Sequence, residues 1–260
     1  MNTFLFIDGS YYVFYRYHSL LKWWKNAHPD EDLKDPYENE IFREKFKKIF
    51  IEYLQKIAKK LHIENFSLII GKDCKRENIW RNKLFSKYKA TRTKNETIGH
   101  FFKLIYDEEF FIKAGASQIL YHPQLEADDC IAIFTKHLVK KYPDCKIYII
   151  TSDNDYLQLC SNQVSLYNLL YKNLAEKGLG NSENDLKMKI FMGDVSDNIP
   201  SVFSKCGPKT AQKCIENPDF LKSKMKPEFY TQYELNKTLI DFNCIPNELV
   251  EDFFTINILP

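Results

Sequence analysis

The chain has 260 residues, of which 44% are hydrophobic and 28% charged, with a formal net charge of +2. That length buries a sizeable core as one large domain or two small ones, and a near-neutral total gives no global field for nucleic acid, so any such function must come from local charge. The seven cysteines, no two within four residues of each other, exclude a zinc knuckle and argue against a disulfide framework, so reduced thiols inside a cell are expected. Asp8 interrupts the first apolar run, which therefore does not read as a leader, and no apolar stretch nears the length needed to cross a bilayer.

In chain order, Phe4–Ile7 reads as a buried strand ending in Asp8-Gly9-Ser10. Apolar residues at 42, 46, 49, 50, 53, 54, 57, 58 and 61 predict a helix from Ile41 to Leu61. A second strand, Phe66–Ile70, ends in Gly71-Lys72-Asp73, and a third, Gln118–Tyr121, leads through a short loop to Glu126-Ala127-Asp128-Asp129. A helix follows from Asp128 to Lys140, then a fourth strand, Lys146–Ile150, that ends in Thr151-Ser152-Asp153-Asn154-Asp155, and a fifth, Val164–Tyr167. Alternating strands and helices predict an α/β fold with a parallel sheet covered on both faces. The polar stretch from Lys172 to Asp185 is a connection, and Ser182 is expected to cap a helix running to Met192. The remainder reads as helical and punctuated by proline.

Nine acids stand out: Asp8, Asp73, Glu126, Asp128, Asp129, Asp153, Asp155, Asp194 and Asp197. Parallel sheets place active residues just past the carboxyl ends of their strands, so four strand ends deliver acids to one edge. Any one pair reads equally well as surface acids or a helix cap. Together they repel, by roughly 4 kcal/mol for two charges about 4 Å apart, unless metal ions or protons neutralise them. All-oxygen donors without His or Cys suit Mg²⁺ or Mn²⁺, which points to phosphoryl chemistry. Acids alone leave an aspartyl-phosphatase or a kinase open, although no P-loop glycine pattern occurs.

Between Lys72 and Lys94 lie nine basic residues (72, 75, 76, 81, 83, 87, 89, 92 and 94) against two acids, interleaved with Trp80, Phe85 and Tyr88. Cations can hold phosphates while aromatics stack on unpaired bases. A solvated charged loop would look similar, but this one directly follows Asp73. In Ser204-Lys205-Cys206-Gly207-Pro208-Lys209-Thr210-Ala211, Gly207 permits a tight bend and Pro208 suits a first helical position, so the exposed N–H groups and Lys209 suit a backbone phosphate.

These pieces together resemble the flap endonuclease and 5′–3′ exonuclease family, which includes bacteriophage 5′-nucleases and the 5′-nuclease domain of bacterial DNA polymerase I. The matching segments are Phe6-Ile7-Asp8-Gly9, Tyr88-Lys89-x-x-Arg92, Glu126-Ala127-Asp128-Asp129, Thr151-Ser152-Asp153-Asn154-Asp155, Gly193-Asp194-x-x-Asp197-Asn198-Ile199-Pro200 and Gly207-Pro208-Lys209-Thr210-Ala211. The resemblance implies a PIN-like nuclease domain over residues 1–178, with a helical arch at about 80–113, and an all-α helix–three-turn–helix DNA-binding domain over 179–260. It implies one metal on Asp8, Asp73, Glu126 and Asp128, and a second on Asp153, Asp155 and Asp197, with Asp129 and Asp194 nearby. Catalytic roles fall to Lys89, Arg92, Asp128 and Asp153. Nucleic-acid contacts fall to Arg76, Arg81, Tyr88, Lys89, Arg92, Gly207, Lys209 and Thr210, with Tyr88 stacking on a terminal base.

The implied function is a structure-specific 5′ nuclease that hydrolyses DNA phosphodiesters with two Mg²⁺, for which Mn²⁺ can substitute, in replication, repair or recombination. A K⁺ ion in the C-terminal motif is part of the same expectation. The implied substrate is branched or 5′-ended DNA (flaps, nicks, RNA–DNA junctions), met by a monomer inside the cell, in cytoplasm, nucleus or a viral replication site. Two alternatives stand beside it: an RNA-directed nuclease that removes primers, and a DNA-junction-binding protein with little turnover. Ser201-Val202-Phe203-Ser204-Lys205-Cys206 departs from the family's glycine-rich hairpin, and Asn247–Phe254 reads as a packed terminal helix rather than a sliding-clamp peptide.

Overall fold

The computed structural model describes residues 2–93 and 95–257. Lys94, the last of the basic run, lies outside them, as do Met1 and residues 258–260 at the ends of the two expected domains.

Five strands, β1 (Thr3–Asp8), β2 (Phe66–Gly71), β3 (Gln118–Leu120), β4 (Lys146–Ile150) and β5 (Val164–Tyr167), form one sheet in the order β3-β2-β1-β4-β5. Every pairing is parallel, so all five carboxyl ends share one edge. The strands are the five apolar runs expected from the sequence.

Successive side chains of a strand face opposite ways, and β1 divides its residues accordingly. Leu5 and Ile7 pack with α1 (Gly9–Ala27), α2 (Glu40–Lys60), α3 (Glu96–Asp107) and α4 (Phe110–Lys113) through Tyr12, Phe46, Phe50, Phe101 and Phe111. Phe4 and Phe6 face α5 (Ala127–Lys141) through Ile131, Phe134 and Leu138. The sheet is thus buried on both sides, as its continuous apolar runs require. Helix α1 begins at once after β1 because Asp8 caps it, accepting from Tyr11 N at 3.0 Å. Gly9 is obligatory there, since a Cβ would lie 2.5 Å from the Gly71 carbonyl oxygen.

The later helices are α6 (Ser182–Met192), α7 (Pro208–Glu216), α8 (Pro218–Lys224), α9 (Pro227–Ile240) and α10 (Asn247–Ile256). Helix α6 has the expected bounds but not the expected cap. Asn181 caps it, accepting from Glu183 N at 2.8 Å and Asn184 N at 3.3 Å, and Ser182 is the first helical residue. Asparagine fits because its oxygen reaches two orphan N–H groups from the extended backbone. Gly193 ends α6 with φ +68°, and a Cβ there would lie 2.4 Å from the Ile199 carbonyl oxygen. Only glycine allows that chain reversal.

Two expectations need correction. The span 80–113 does not form a freestanding helical arch among the described residues. Its first part is short 3-10 turns, and α3 buries Ile98, Phe101 and Ile105 in the core beside α2. The amphipathic face of α3 is too apolar to stand in water. Nor does the helical part run cleanly from 179 to the end. Phe191, Val202, Phe203, Ala211 and Cys214 form a separate cluster. Phe242, Ile245 and Phe253 instead join the core around α5 and the sheet. Asn257 locks α10 to the Tyr121 backbone through bonds of 3.0 and 3.1 Å. Among the described residues no helix is long and apolar enough to cross a membrane, and all seven cysteines are unpaired.

Candidate active site

The parallel sheet does for the acids what the strand ends predict. Asp8 ends β1, Asp73 lies two residues past β2, Asp128 starts α5 beyond β3, and Asp153 lies three past β4. All four line one cavity of about 250 Å³ together with Glu126, Lys89, Arg92, Ser10, Phe14 and Thr151.

Neutral donors hold the inner pair. Asp8 accepts from Thr151 Oγ1 at 3.2 Å in addition to the Tyr11 amide. Asp73 accepts from the Ser10 hydroxyl and from Ala127 N at 2.8 Å. Burial, reinforced by Asp73, pushes the Asp8 carboxyl up to about 7. Burial raises Asp73 despite its two hydrogen bonds, and burial with the charges of Asp129 and Glu126 raises Asp128 well above the carboxylate range. Acids that resist ionisation alone, in a roomy pocket of oxygen donors, fit a divalent cation, which would displace their protons.

Glu126 is held differently. Its carboxylate pairs with Lys89 and with Arg81 Nη1 at 3.1 Å and accepts from Tyr88 Oη at 2.8 Å. Burial pushes this carboxyl up, but Lys89 and Arg81 more than offset it, so it titrates below its ordinary value. A second acidic group lies beside the first. Asp155, Asp194 and Asp197 offer oxygens all within 4.8 Å of one another. Asp197 pairs with Arg92 and lies 3.6 Å from Lys89 Nζ. Burial and Asp153 raise Asp155 to about 7 even though Lys189 pairs with it. Asp194, in contrast, titrates low. Lys189 at 2.6 Å and the Ser196 amide and hydroxyl, each at 2.7 Å, outweigh the effect of its burial.

Three expected site residues are placed otherwise. Asp129 is fully buried and its oxygens are spent: Arg81 Nη2 and Nη1 donate at 2.6 and 2.7 Å, Trp80 Nε1 at 3.0 Å, and Glu126 N at 3.2 Å. Asp129 lies within metal-sharing distance of Glu126 and Asp128, but the cavity wall does not include it and its carboxylate is engaged by the bidentate arginine pair. Arg81, expected on DNA, is 2% exposed and cannot reach a phosphate. Its Nε donates to the Leu239 carbonyl at 2.7 Å, so it ties the basic segment to α5 and α9. Tyr88, expected to stack on a base, is 5% exposed, with its hydroxyl on Glu126 and its ring in a cluster with Ile190 and Leu239.

The other basic positions face solvent or the cavity. Arg92 is exposed and Lys89 half-buried, both on the cavity wall, and Arg76 lines its outward continuation of about 490 Å³. Lys89 takes φ +53°, and its N–H bonds the Asp197 carbonyl at 3.0 Å, which fixes the strained turn against the second acidic group. Gly207 caps α7, and Lys209 stands exposed in its first turn with Thr210 half-buried, some distance along the chain from the carboxylates. Ser10 and Thr151 flank Asp8 and Asp153 in sequence but donate across strands, to Asp73 and Asp8 respectively. Phe14, 44% exposed at the cavity lip, and Lys189 carry no sequence signal, because only folding brings them to the acids.

The model of the family described as 5′-3′ exonuclease, N-terminal resolvase-like domain, matches residues 3–189. The chain belongs to the 5′-3′ exonuclease family. Similar proteins include a 5′-3′ exonuclease of Mycoplasmopsis pulmonis, 28% identical over 224 residues, which are 83% of this chain and 67% of that protein. The ribonuclease H of Enterobacteria phage T4 is 28% identical over 231 residues, 78% of this chain and 72% of that one. Among solved structures, the bacteriophage T5 D15 flap endonuclease superimposes with a TM-score of 0.67 at 17% identity, covering 98% of this chain and 97% of that one. That likeness concerns the fold.

Two outcomes test the electrostatics. A carboxyl raised by folding stabilises the protein below its unfolded pKa, near 4, and loses that contribution as pH rises through its folded value, about 7 for Asp8. In EDTA, wild type should therefore lose more thermal stability than Asp8→Asn between pH 5 and pH 8; parallel melting curves would refute this. Arg81→Met leaves Asp129 buried and unpaired and should cost about 3–5 kcal/mol in urea unfolding, whereas a loss below about 1 kcal/mol, the value of a solvated surface pair, would contradict the buried clamp.

Proposed function

We propose that the chain is a structure-specific 5′ nuclease, a 5′-3′ exonuclease and flap endonuclease, that hydrolyses DNA phosphodiesters with two divalent ions. The observation that carries this reading is the single cavity in which Asp8, Asp73, Asp128 and Asp153 meet Lys89 and Arg92. Acids alone would hold metal, and cations alone would hold phosphate; their meeting in one cavity suits a phosphodiester brought against metal.

In this reading Asp8, Asp73, Glu126 and Asp128 hold one ion. Asp153, Asp155 and Asp197 hold the other, with Asp194 beside them, and Asp129 acts only through Arg81. Mg²⁺ is the assigned metal because every donor is oxygen, with Mn²⁺ as substitute. When bound, such a pair would supply Lewis acidity at the phosphate oxygens and an acidified water. The chain's own groups do the rest. Lys89 and Arg92 exchange their carboxylate partners for the non-bridging oxygens of the scissile phosphate and steady the charge that builds there. Phe14 offers an exposed ring for the base next to the cleaved bond. Arg76 meets a further phosphate along the outer cavity.

The nuclease unit is PIN-like and is built on about residues 1–178 with α10 returning to its sheet layer, and the helices between, from α6 to α9, grip duplex. Gly207, Lys209 and Thr210, at the start of α7, take a backbone phosphate through the free N–H groups of a helix N-terminus. A K⁺ ion beside that turn belongs to the same reading. The D15 flap endonuclease of phage T5 has been seen with DNA and metal ions, which supports branched DNA as substrate. The name of the T4 relative, ribonuclease H, favours RNA–DNA junctions as a second substrate. A monomer working inside the cell in replication or repair completes the proposal.

The test is single-turnover cleavage of 5′-flap, nicked, duplex and RNA–DNA substrates in Mg²⁺ or EDTA. Asp128→Asn and Asp153→Asn should each slow flap cleavage by ~100-fold or more, the scale for losing a group that stabilises transition-state charge. Lys89→Ala should slow cleavage far more than it weakens duplex binding. Cleavage that persists in EDTA, or that is unchanged in both Asp variants, would sink the mechanism. Binding without cleavage in any metal would leave a junction-binding protein.

A further inference from the structure

The two acidic groups are neutralised unequally. Asp8 and Asp73 take only neutral donors: the Tyr11 and Ala127 amides and the Ser10 and Thr151 hydroxyls. A cation can approach these two without evicting another, because the ammonium beside them, Lys89, is paired with Glu126 instead. In the second group an ammonium sits between the carboxylates themselves. Lys189, in the last turn of α6, pairs with Asp155 and with Asp194 at 2.6 Å. These acids come from different elements, the 3-10 turn after β4 and the loop after Gly193, and with Asp197 their oxygens lie within 4.8 Å of one another. Lys189 therefore stands where a divalent ion shared by these carboxylates would sit. Its side chain is only 21% exposed, so the pairing is shielded from solvent far more than a surface salt bridge.

We infer that Lys189 is a built-in counter-cation of the second carboxylate group, which holds Asp155 and Asp194 together in the metal-free protein and must be displaced before the second divalent ion binds. This inference rests on the two-ion reading above. It makes Lys189 a positioning residue that sets the order of metal loading: the first ion binds at Asp8 and Asp73, and the second binds later and more weakly. Lys89 and Arg92 differ from it in place. They lie in the short turns that follow the 3-10 helices, and Arg92 is exposed, so both can turn toward a phosphate. Lys189 projects from a helix packed against α7 and α9 and can only withdraw along its own side chain.

The experiment measures Mn²⁺ binding to the full chain without DNA, by electron paramagnetic resonance of the free ion. It compares wild type with Lys189→Met and Lys189→Arg, and adds melting curves in EDTA and in saturating Mn²⁺. Wild type should show two classes of site. Lys189→Met should tighten the weaker class at least tenfold, about 1.4 kcal/mol, and leave the stronger class within twofold, which also certifies its fold. It should melt below wild type in EDTA and recover in Mn²⁺, while Lys189→Arg should behave as wild type. A purely structural lysine predicts the opposite, with the second ion bound no better or worse after its loss. That result, a single class of site in all three proteins, or equal tightening in Lys189→Arg overturns the inference. Cleavage of flap DNA by the same samples reads the nuclease proposal separately. Tightened binding without cleavage would refute that reading and leave the role of Lys189 standing.

Discussion

Mutual repulsion of carboxylates is the constraint around which this molecule is arranged. A sheet whose strands all run the same way sends every carboxyl end to one edge, and here β1, β2 and β4 each end near an aspartate, with α5 adding Glu126, Asp128 and Asp129. Two unit charges about 4 Å apart repel by roughly 4 kcal/mol at an effective dielectric near 20, so eight or nine acids at one edge would exceed the stability of an ordinary domain. Three responses are built into the fold. Burial raises the carboxyls of Asp8, Asp73 and Asp128 and so favours their protonated form when no cation is bound. A buried guanidinium, Arg81, permanently neutralises Asp129. Three further cations, Lys89, Arg92 and Lys189, pair with Glu126, with Asp197, and with Asp155 and Asp194.

The permanent pair also organises the architecture. Arg81 bonds to Glu126 and Asp129 at the start of α5 and to the carbonyl of Leu239 near the end of α9. One side chain thus fixes the basic segment, the acidic start of α5 and the helical unit relative to each other. Buried ion pairs add little net stability because desolvation offsets the attraction. The value of this one lies in geometry: Glu126 presents an oxygen to the cavity only because Arg81 and Tyr88 hold the other one back. Precision in a metal site depends on such outer partners as much as on the ligands.

Much of this was legible before folding was known. Apolar runs marked all five strands, because a sheet buried on both faces needs uninterrupted hydrophobicity. The rule for strand ends then gathered Asp8, Asp73, Asp128 and Asp153 without further information. Asp129, Arg81 and Tyr88 were misplaced for one reason. An Asp-Asp pair at a helix start does not show which carboxylate faces the core, and an arginine or tyrosine in a basic run looks solvated until its partner is known. Arg81 lies 48 residues from Asp129, so no local pattern links them. Lys189 carries no functional signal in the sequence, because a lysine in the last turn of a helix is ordinarily explained by the helix dipole. Helix α10, within the span read as the helical unit, returns to the sheet layer through Phe253, a long-range contact invisible in local periodicity.

Anomalous diffraction from crystals soaked in Mn²⁺ tests the central claim most directly, because it locates cations against named carboxylates. The account predicts one strong peak ligated by Asp8, Asp73 and Asp128. A second, weaker one should lie on the side of Asp153 and Asp155, about 3.5–4 Å away as in two-metal phosphodiesterases, with Lys189 withdrawn and Arg81 unmoved on Asp129. Manganese bound to Asp129, or a cavity empty of manganese at saturating concentration, would contradict it.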